Sequence, residues 1–289
     1  MNILITGATG FIGQALTAHL KQKHVVMPMS SRSRKPHQGL VCDLGSLRST
    51  QATAAALKGK KVDAIIHLAS VVCTPQNRTQ VKLLDNNNAI SSNFVALAQA
   101  LDPRLLLHAS SMAVYPNQDG VYKENGIIDP SGNGDGLYGL AKFNAEMFLN
   151  FFLSPQMKLM HLRLTQVYGP GMRQDRIFTS MVKELRQKNT ITVFGNGERV
   201  TNFIHIRDVI ATIDGMLNGP RSGIYNVGAF KHMTLEQWAK KIIRQYGNAR
   251  SRVIKFDKGS RVKQRIDTRL LNKIFGLKNQ TVDLSGIDA

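Results

Sequence analysis

Tyr138 and Lys142 stand four residues apart in "YGLAK", so on a helix they share a face. Upstream, in "HASSMAVY", an apolar strand-like run ends in Ser110 and Ser111. A phenol that titrates at about 10 is poorly suited to proton transfer at neutral pH unless a neighbouring cation favours its phenolate. Lys142 supplies such a cation, and the Ser111 hydroxyl can hold a reacting oxygen by a hydrogen bond. These residue types suit carbonyl reduction or alcohol oxidation, which also requires a hydride carrier. A Tyr and a Lys at this spacing carry little weight alone. Their order behind the strand-like run carries more, because open α/β sheets build ligand crevices at the C-terminal ends of their strands.

The elements that must position these groups are legible as an alternation. Strand-like runs "NILIT", "HVVMPM", "VDAIIHLAS", "RLLLHASS" and "LMHLRLTQVYG" are separated by helical patterns. The latter are "FIGQALTAHLKQ", "STQATAAALKG", "NAISSNFVALAQALD" and a stretch from Tyr138 to Leu153. Such alternation predicts an α/β fold, a parallel sheet with helices on both faces. The runs are continuously apolar, as expected of strands buried on two sides. Between the first run and the first helix lies "ITGATGFIG". There Gly7 suits a tight turn, Gly10 a close backbone approach to a pyrophosphate, and Gly13 close packing of helix on sheet. The helix N-terminus would face the phosphates with free N–H groups. The spacing is GxxGxxG, and it is the strand-turn-helix context that gives the triplet its meaning.

Beyond Gly169 the loops lengthen and become more basic, which places a change of domain near residue 166, and "TLEQWAKKIIRQYG" reads as a last helix before a basic tail. The expected organisation is a doubly wound Rossmann domain over residues 1–165, with 202–228 returning to it. A smaller substrate-binding domain takes 166–201 and 229–289.

Taken together and in order, these segments resemble an extended short-chain dehydrogenase/reductase, the family of nucleotide-sugar epimerases, dehydratases and ketoreductases, over almost the whole length. "TGATGFIG" is similar to its glycine motif, "CDL" to its adenine-side acidic position and "HLAS" to its fourth-strand motif. "SSMAVY" and "YGLAK" are similar to its catalytic elements. "LRLTQVYGPG", "NFIHIRDV", "YNVG" and "RIDTRLLNKIFGL" resemble later landmarks. The resemblance implies catalytic roles for Ser111, Tyr138 and Lys142, the last also holding a nicotinamide ribose. It implies cofactor contacts at Gly7, Thr9, Gly10, Phe11, Ile12 and Gly13, at Asp43 and Leu44, at Leu68, Ala69 and Ser70, and at Asn88. His67 reads as a strand-end core residue rather than a catalyst.

Departures from the pattern narrow the chemistry. Met112 and Ala113 stand where sugar-nucleotide dehydratases carry an Asp-Glu pair, and water elimination needs a second acid and base. Pro116 replaces a Gly after "VY", and Gln166 replaces the Asn of the family's substrate loop. Where the family has a diphosphate-binding Arg, this chain has Thr201 and Asn202. Arg199, two residues earlier and so on the same face of a strand, is expected to substitute.

The choice of hydride carrier falls on "MSSRSRK". An NAD-preferring chain places Asp or Glu about 20 residues past the glycines to hold the ribose 2′-hydroxyl, and none stands between His24 and Asp43. Ser31, Arg32 and Arg34 instead suit a 2′-phosphate through charge-assisted bonds. NADP is therefore expected over NAD. NADP favours a reductase, which draws external hydride at each turnover. The expected reaction is reduction of a keto group on a nucleotide-linked sugar, with C4 epimerisation as the alternative.

The 38 basic and 19 acidic residues give a net charge of +19, and 14 of those bases lie with 5 acids in residues 231–289. This favours anionic partners without choosing among them. A non-catalytic dinucleotide- or nucleic-acid-binding protein is the reading from another class. The tail, however, has no aromatic interleaving and no nucleic-acid motif. Two cysteines, Cys42 and Cys73, make no disulfide framework and no metal site, which points to a reducing cytoplasm. No signal peptide is evident, and no run approaches the ~18 apolar residues of a membrane span. The helices carrying "FVALAQAL" and "FNAEMFLNFFL" hold more apolar residues than one sheet-facing stripe needs, so a homodimer through them is expected.

Overall fold

The structure, a computed structural model, describes residues 1–32 and 39–287. The elements run β1 (Asn2–Thr6), α1 (Phe11–Leu20), β2 (Val25–Ser30), β3 (Leu40–Val41), α2 (Leu47–Leu57), β4 (Ala64–His67), α3 (Val81–Leu101) and β5 (Leu105–Ser111). Then come β6 (Gly120–Tyr122), α4 (Gly136–Phe152), β7 (Lys158–Leu164), β8 (Gln166–Tyr168), α5 (Ile177–Lys188), β9 (Thr190–Phe194), β10 (Val200–Thr201) and β11 (Phe203–His205). The chain closes with α6 (Ile206–Asn218), β12 (Gly223–Val227), β13 (Met233–Thr234), α7 (Leu235–Tyr246), β14 (Arg252–Phe256), β15 (Gln264–Ile266) and α8 (Arg269–Phe275).

Seven strands form one sheet in the order β12-β7-β5-β4-β1-β2-β3. β1 pairs in parallel with β2 and β4, β4 with β5, and β5 with β7. This is the doubly wound arrangement, and its reversal of strand order beside β1 is where such sheets take ligands. Every residue of β4 is buried, as are Ile3 to Thr6 and Leu105 to Ser110, which is why these runs carry no alternation.

Two compact units are present. The first comprises Met1–Pro116, Ile128–Leu164 and Ile210–Tyr225; the second comprises Asn117–Ile127, Thr165–Val209 and Asn226–Ala289. The returning segment is thus Ile210–Tyr225, against an expected 202–228. β11 stays in the second unit because it pairs with β8, and Asn117–Ile127 joins it because β6 pairs with β15. The second unit is built on Tyr168, Phe178, Phe203 and Trp238, whose rings pack edge-on or tilted with centroids 4.4–5.6 Å apart. Thr234 and Gln237 form a reciprocal cap at the start of α7.

Two expectations need correction. α3 begins at Val81, seven residues before Asn88, because Asn87 and Ser91 occupy its buried stripe with their side chains bonded to backbone carbonyls, and so hide the apolar period. α7 is not the last helix, since α8 follows it.

One face of the sheet is graded in polarity. Leu4, Ile65 and Leu106 lie in register across β1, β4 and β5, and they share one buried cluster with Phe94, Leu97 and Leu149. Two residues further on, Thr6, His67, His108 and His161 form the next row. Thr6 Oγ1 lies 2.8 Å from His67 Nδ1, and the His67 ring stacks on Phe94 at 3.6 Å. His161 Nε2–H donates to Asn150 Oδ1 at 3.3 Å, so its Nδ1 accepts at 3.0 Å from His108 Nδ1–H. Burial lowers all three histidines, His161 to about 4 and the others well below their usual value.

The row therefore stays neutral in the folded protein while the unfolded chain takes up protons near pH 6.5. Stability is fully present above that pH and is lost as pH falls toward about 4, by about 3 kcal/mol for His161 alone. Urea unfolding at pH 7 and pH 4.5 measures this loss. Replacing His108 and His161 together with leucine should reduce it, leaving the part due to His67, and a variant as acid-sensitive as the parent would place the titration elsewhere.

Candidate active site

The glycine turn is held by contacts that only these residues permit. Gly7 has φ +68°, and a Cβ on it would lie 2.9 Å from the backbone nitrogen of Ala69, so the turn rests on Leu68 and Ala69. Thr6 Oγ1 accepts from the Ala69 N–H at 3.2 Å, joining the ends of β1 and β4. A Cβ on Gly13 would fall 2.2 Å from the Gly7 carbonyl oxygen, which is how closely α1 sits on the turn. Gly10 is exposed, and among the described residues a Cβ on it would meet only that same oxygen, at 3.2 Å. It caps α1 without a side-chain bond, and the first turn of the helix carries no acid. Half-buried Phe11 and Ile12 follow it. The N–H groups and dipole of this helix end thus suit an anion.

Thr9 and Gly10 line a cleft with Ser31 and Arg32 at the end of β2, both exposed. Arg34 lies outside the described residues. Asp43 is exposed and accepts from the Gly45 N–H at 3.0 Å, while Leu44 is buried and its carbonyl accepts from Asn93 at 2.8 Å. Ser70 continues the half-buried segment after β4. Asn88 Oδ1 accepts from Asn144 of α4 at 3.1 Å. Asn87, beside it, grips the segment after β4 by bonding both the N–H and the carbonyl of Val71.

Ser111 ends β5 and is half-buried. Its Oγ accepts from the Ala113 N–H at 3.1 Å, which leaves its hydroxyl hydrogen to donate. Tyr138 and Lys142 lie one turn apart on α4, with Lys142 Nζ 5.6 Å from the Tyr138 ring centroid. Lys142 is buried, and its ammonium donates to the Ala109 carbonyl of β5 at 2.8 Å. Burial lowers this amine to about 8, against an opposing pull from the Glu146 carboxylate. Tyr138 therefore has a cation near its ring that is charged at neutral pH, and the bond from that cation meets β5 two residues before Ser111.

Two contributors to this geometry escaped the sequence reading. A Cβ on Gly139 would lie 2.1 Å from the Ala113 carbonyl oxygen, so this glycine lets α4 touch the turn that follows Ser111. The glycine directly after Tyr138 was the available signal. Glu146 sits one turn beyond Lys142, and its acidic type on a buried helix face was the other.

Gln166 and Arg199 belong to the second unit. Gln166 is exposed on β8, and Arg199 is half-buried just before β10, its carbonyl accepting from the Leu235 N–H. Asn202 is buried and braces the N–H and carbonyl of Ala229.

A family described as the NAD dependent epimerase/dehydratase family matches residues 3–228. Among curated proteins, a dTDP-D-glucose 4,6-dehydratase of Dictyostelium discoideum is 24% identical over 83% of this chain, which spans 61% of that protein. An uncharacterized UDP-glucose epimerase, YtcB, of Bacillus subtilis is 29% identical over 76% of this chain and 73% of its own length. Among solved structures, MoeE5 in complex with UDP-glucose and NAD superposes with a TM-score of 0.81 at 23% identity, covering 99% of this chain and 96% of that one.

The glycine contacts separate two substitutions. Gly13→Ala should cost about 2 kcal/mol or more in unfolding free energy, because the added carbon meets backbone that has nowhere to go. Gly10→Ala should cost about 1 kcal/mol at most. Denaturant melts of the two variants check the order, and equal losses would contradict it.

Proposed function

Because the chain belongs to the NAD dependent epimerase/dehydratase family, we propose that it reduces a keto group on a nucleotide-linked sugar with hydride from NADPH. The observation that carries this reading is the attachment of α4, which bears Tyr138 and Lys142, to β5 two residues before Ser111, in the same unit as a glycine turn with no side-chain cap. The open Gly10 and the cleft it shares with Ser31 and Arg32 support a dinucleotide here, and the charge and hydroxyl of those two side chains suit a ribose 2′-phosphate. When bound, that dinucleotide supplies the hydride. Ser111 orients the carbonyl oxygen by a hydrogen bond, and Tyr138 gives its phenolic proton to that oxygen as charge develops there. Lys142 makes Tyr138 a stronger acid by favouring the phenolate left behind.

Substrate contacts are assigned to Gln166 and Arg199, with residues 166–201 and 229–289 as the substrate-binding part. Exposed Leu140, Met147, Phe151 and Phe152 on α4 support a homodimer. Two buried cysteines that form no disulfide suit the cytoplasm. No helix among the described residues is long and apolar enough to cross a membrane.

Epimerisation at C4 is the second reading. YtcB, itself described as an epimerase, is 29% identical, and the same three groups can serve a hydride that is borrowed and returned. MoeE5 was solved with NAD, whereas this chain has no acid between His24 and Asp43.

NADPH should bind more tightly than NADH, and Arg32→Ala should weaken NADPH about tenfold with little effect on NADH. With a keto-sugar nucleotide, one NADPH should be oxidised per product formed. Tighter NADH binding would overturn the cofactor assignment. Conversion of an unoxidised sugar nucleotide with no net cofactor change would replace reduction by epimerisation.

A further inference from the structure

The row of the sheet beyond the histidines is ionic. Ser110 and Arg163 face each other in the β5–β7 register, and Glu146 of α4 reaches both. Ser110 Oγ–H and Arg163 Nε–H, the latter at 3.0 Å, donate to Oε1, and Arg163 Nη2 donates to Oε2 at 2.7 Å. Arg163 Nη1 donates to the Tyr115 hydroxyl at 2.9 Å. Side chains of Glu146 and Arg163 are 1% and 2% exposed. A pair buried this deeply is weak as a stabiliser, because desolvation offsets its attraction. Its placement suggests another use. Lys142 and Glu146, one turn apart on α4, bond to consecutive residues of β5, the Ala109 carbonyl and the Ser110 hydroxyl, directly before Ser111. Tyr115 lies at the far end of the Met112–Val114 turn, so the network holds the chain on both sides of Ser111 from the helix that carries Tyr138.

We propose that Glu146 is a positioning residue that fastens α4 to β5 through Ser110 and Arg163, so that Tyr138 and Lys142 meet Ser111 in register and Lys142 keeps its charge. The role in turnover rests on Tyr138 being the proton donor. Tyr138 and Glu146 face Lys142 from its own helix, and His67 and His108 face it from β4 and β5. Arg163 of β7 is engaged by Glu146. With both histidines neutral, Glu146 supplies the one negative charge in this group.

The titration of Lys142, read by ¹³C NMR on protein labelled at the lysine ε-carbon and identified by the peak lost in Lys142→Arg, tests this without substrate. The parent midpoint should lie near 8. It should fall by about one pH unit in Glu146→Gln and return toward the parent value in Glu146→Asp. Glu146→Gln leaves the Arg163 guanidinium buried without its carboxylate. The double variant Glu146→Gln/Arg163→Met is therefore measured alongside, and its midpoint should also fall. Reduction by each of the two glutamine variants should lose rate at a lower alkaline pH than the parent. An unchanged Lys142 midpoint in both would overturn the proposal. Turnover that survives in Tyr138→Phe would instead remove Tyr138 from the chemistry and leave the Lys142 titration standing.

Discussion

The hydrogen bond from the buried Lys142 ammonium to the Ala109 carbonyl, 2.8 Å long, ties α4 to β5, and the rest of the site depends on that attachment. A cation with no water around it must find an acceptor, and the backbone carbonyl two residues before Ser111 is the one it finds. Gly139 allows the approach by leaving space for the Ala113 carbonyl. The sheet then carries the register onward, since β5 pairs with β4 and β4 with β1, whose end is the glycine turn. Helix, hydroxyl and glycine turn are thus placed by backbone geometry rather than by mobile loops.

Along the face that α3 and α4 cover, the sheet passes from an apolar row through a histidine row to an ionic row, whose Ser110 directly precedes Ser111. Each polar row is satisfied internally, which is the condition for burying it at all. The cost is a narrower pH range. Below about pH 6.5 the histidines destabilise the folded chain, and above about pH 8 Lys142 loses its proton. On stability the depressed lysine works in the same direction as the histidines, in a higher pH window. Its burial opposes folding below pH 8, and that penalty is relieved as pH rises toward 10.5.

The sheet was legible because strands buried on both faces admit only apolar runs, and the glycine turn because its backbone demands leave few alternatives to glycine. The nearness of the helix of Tyr138 and Lys142 to the strand that ends in Ser111 was legible once that strand was recognised. The start of α3 was not, since Asn87 and Ser91 turn polar side chains inward to bond backbone. Glu146 was not, because its partners Ser110 and Arg163 come from two separate strands. The assignment of Asn117–Ile127 to the second unit was equally hidden, since Gly120 pairs with Gln264 across half of the chain. Local pattern cannot report contacts of that sequence separation.

The claim that external hydride reaches a sugar carbon under control of Ser111, Tyr138 and Lys142 is tested most directly by isotope. Turnover of a keto-sugar nucleotide with NADPH carrying deuterium at the transferred position is followed by mass spectrometry of the product. The account predicts one deuterium in each sugar formed and none when Tyr138→Phe abolishes turnover. Product sugar without deuterium, formed at the parent rate, would contradict it.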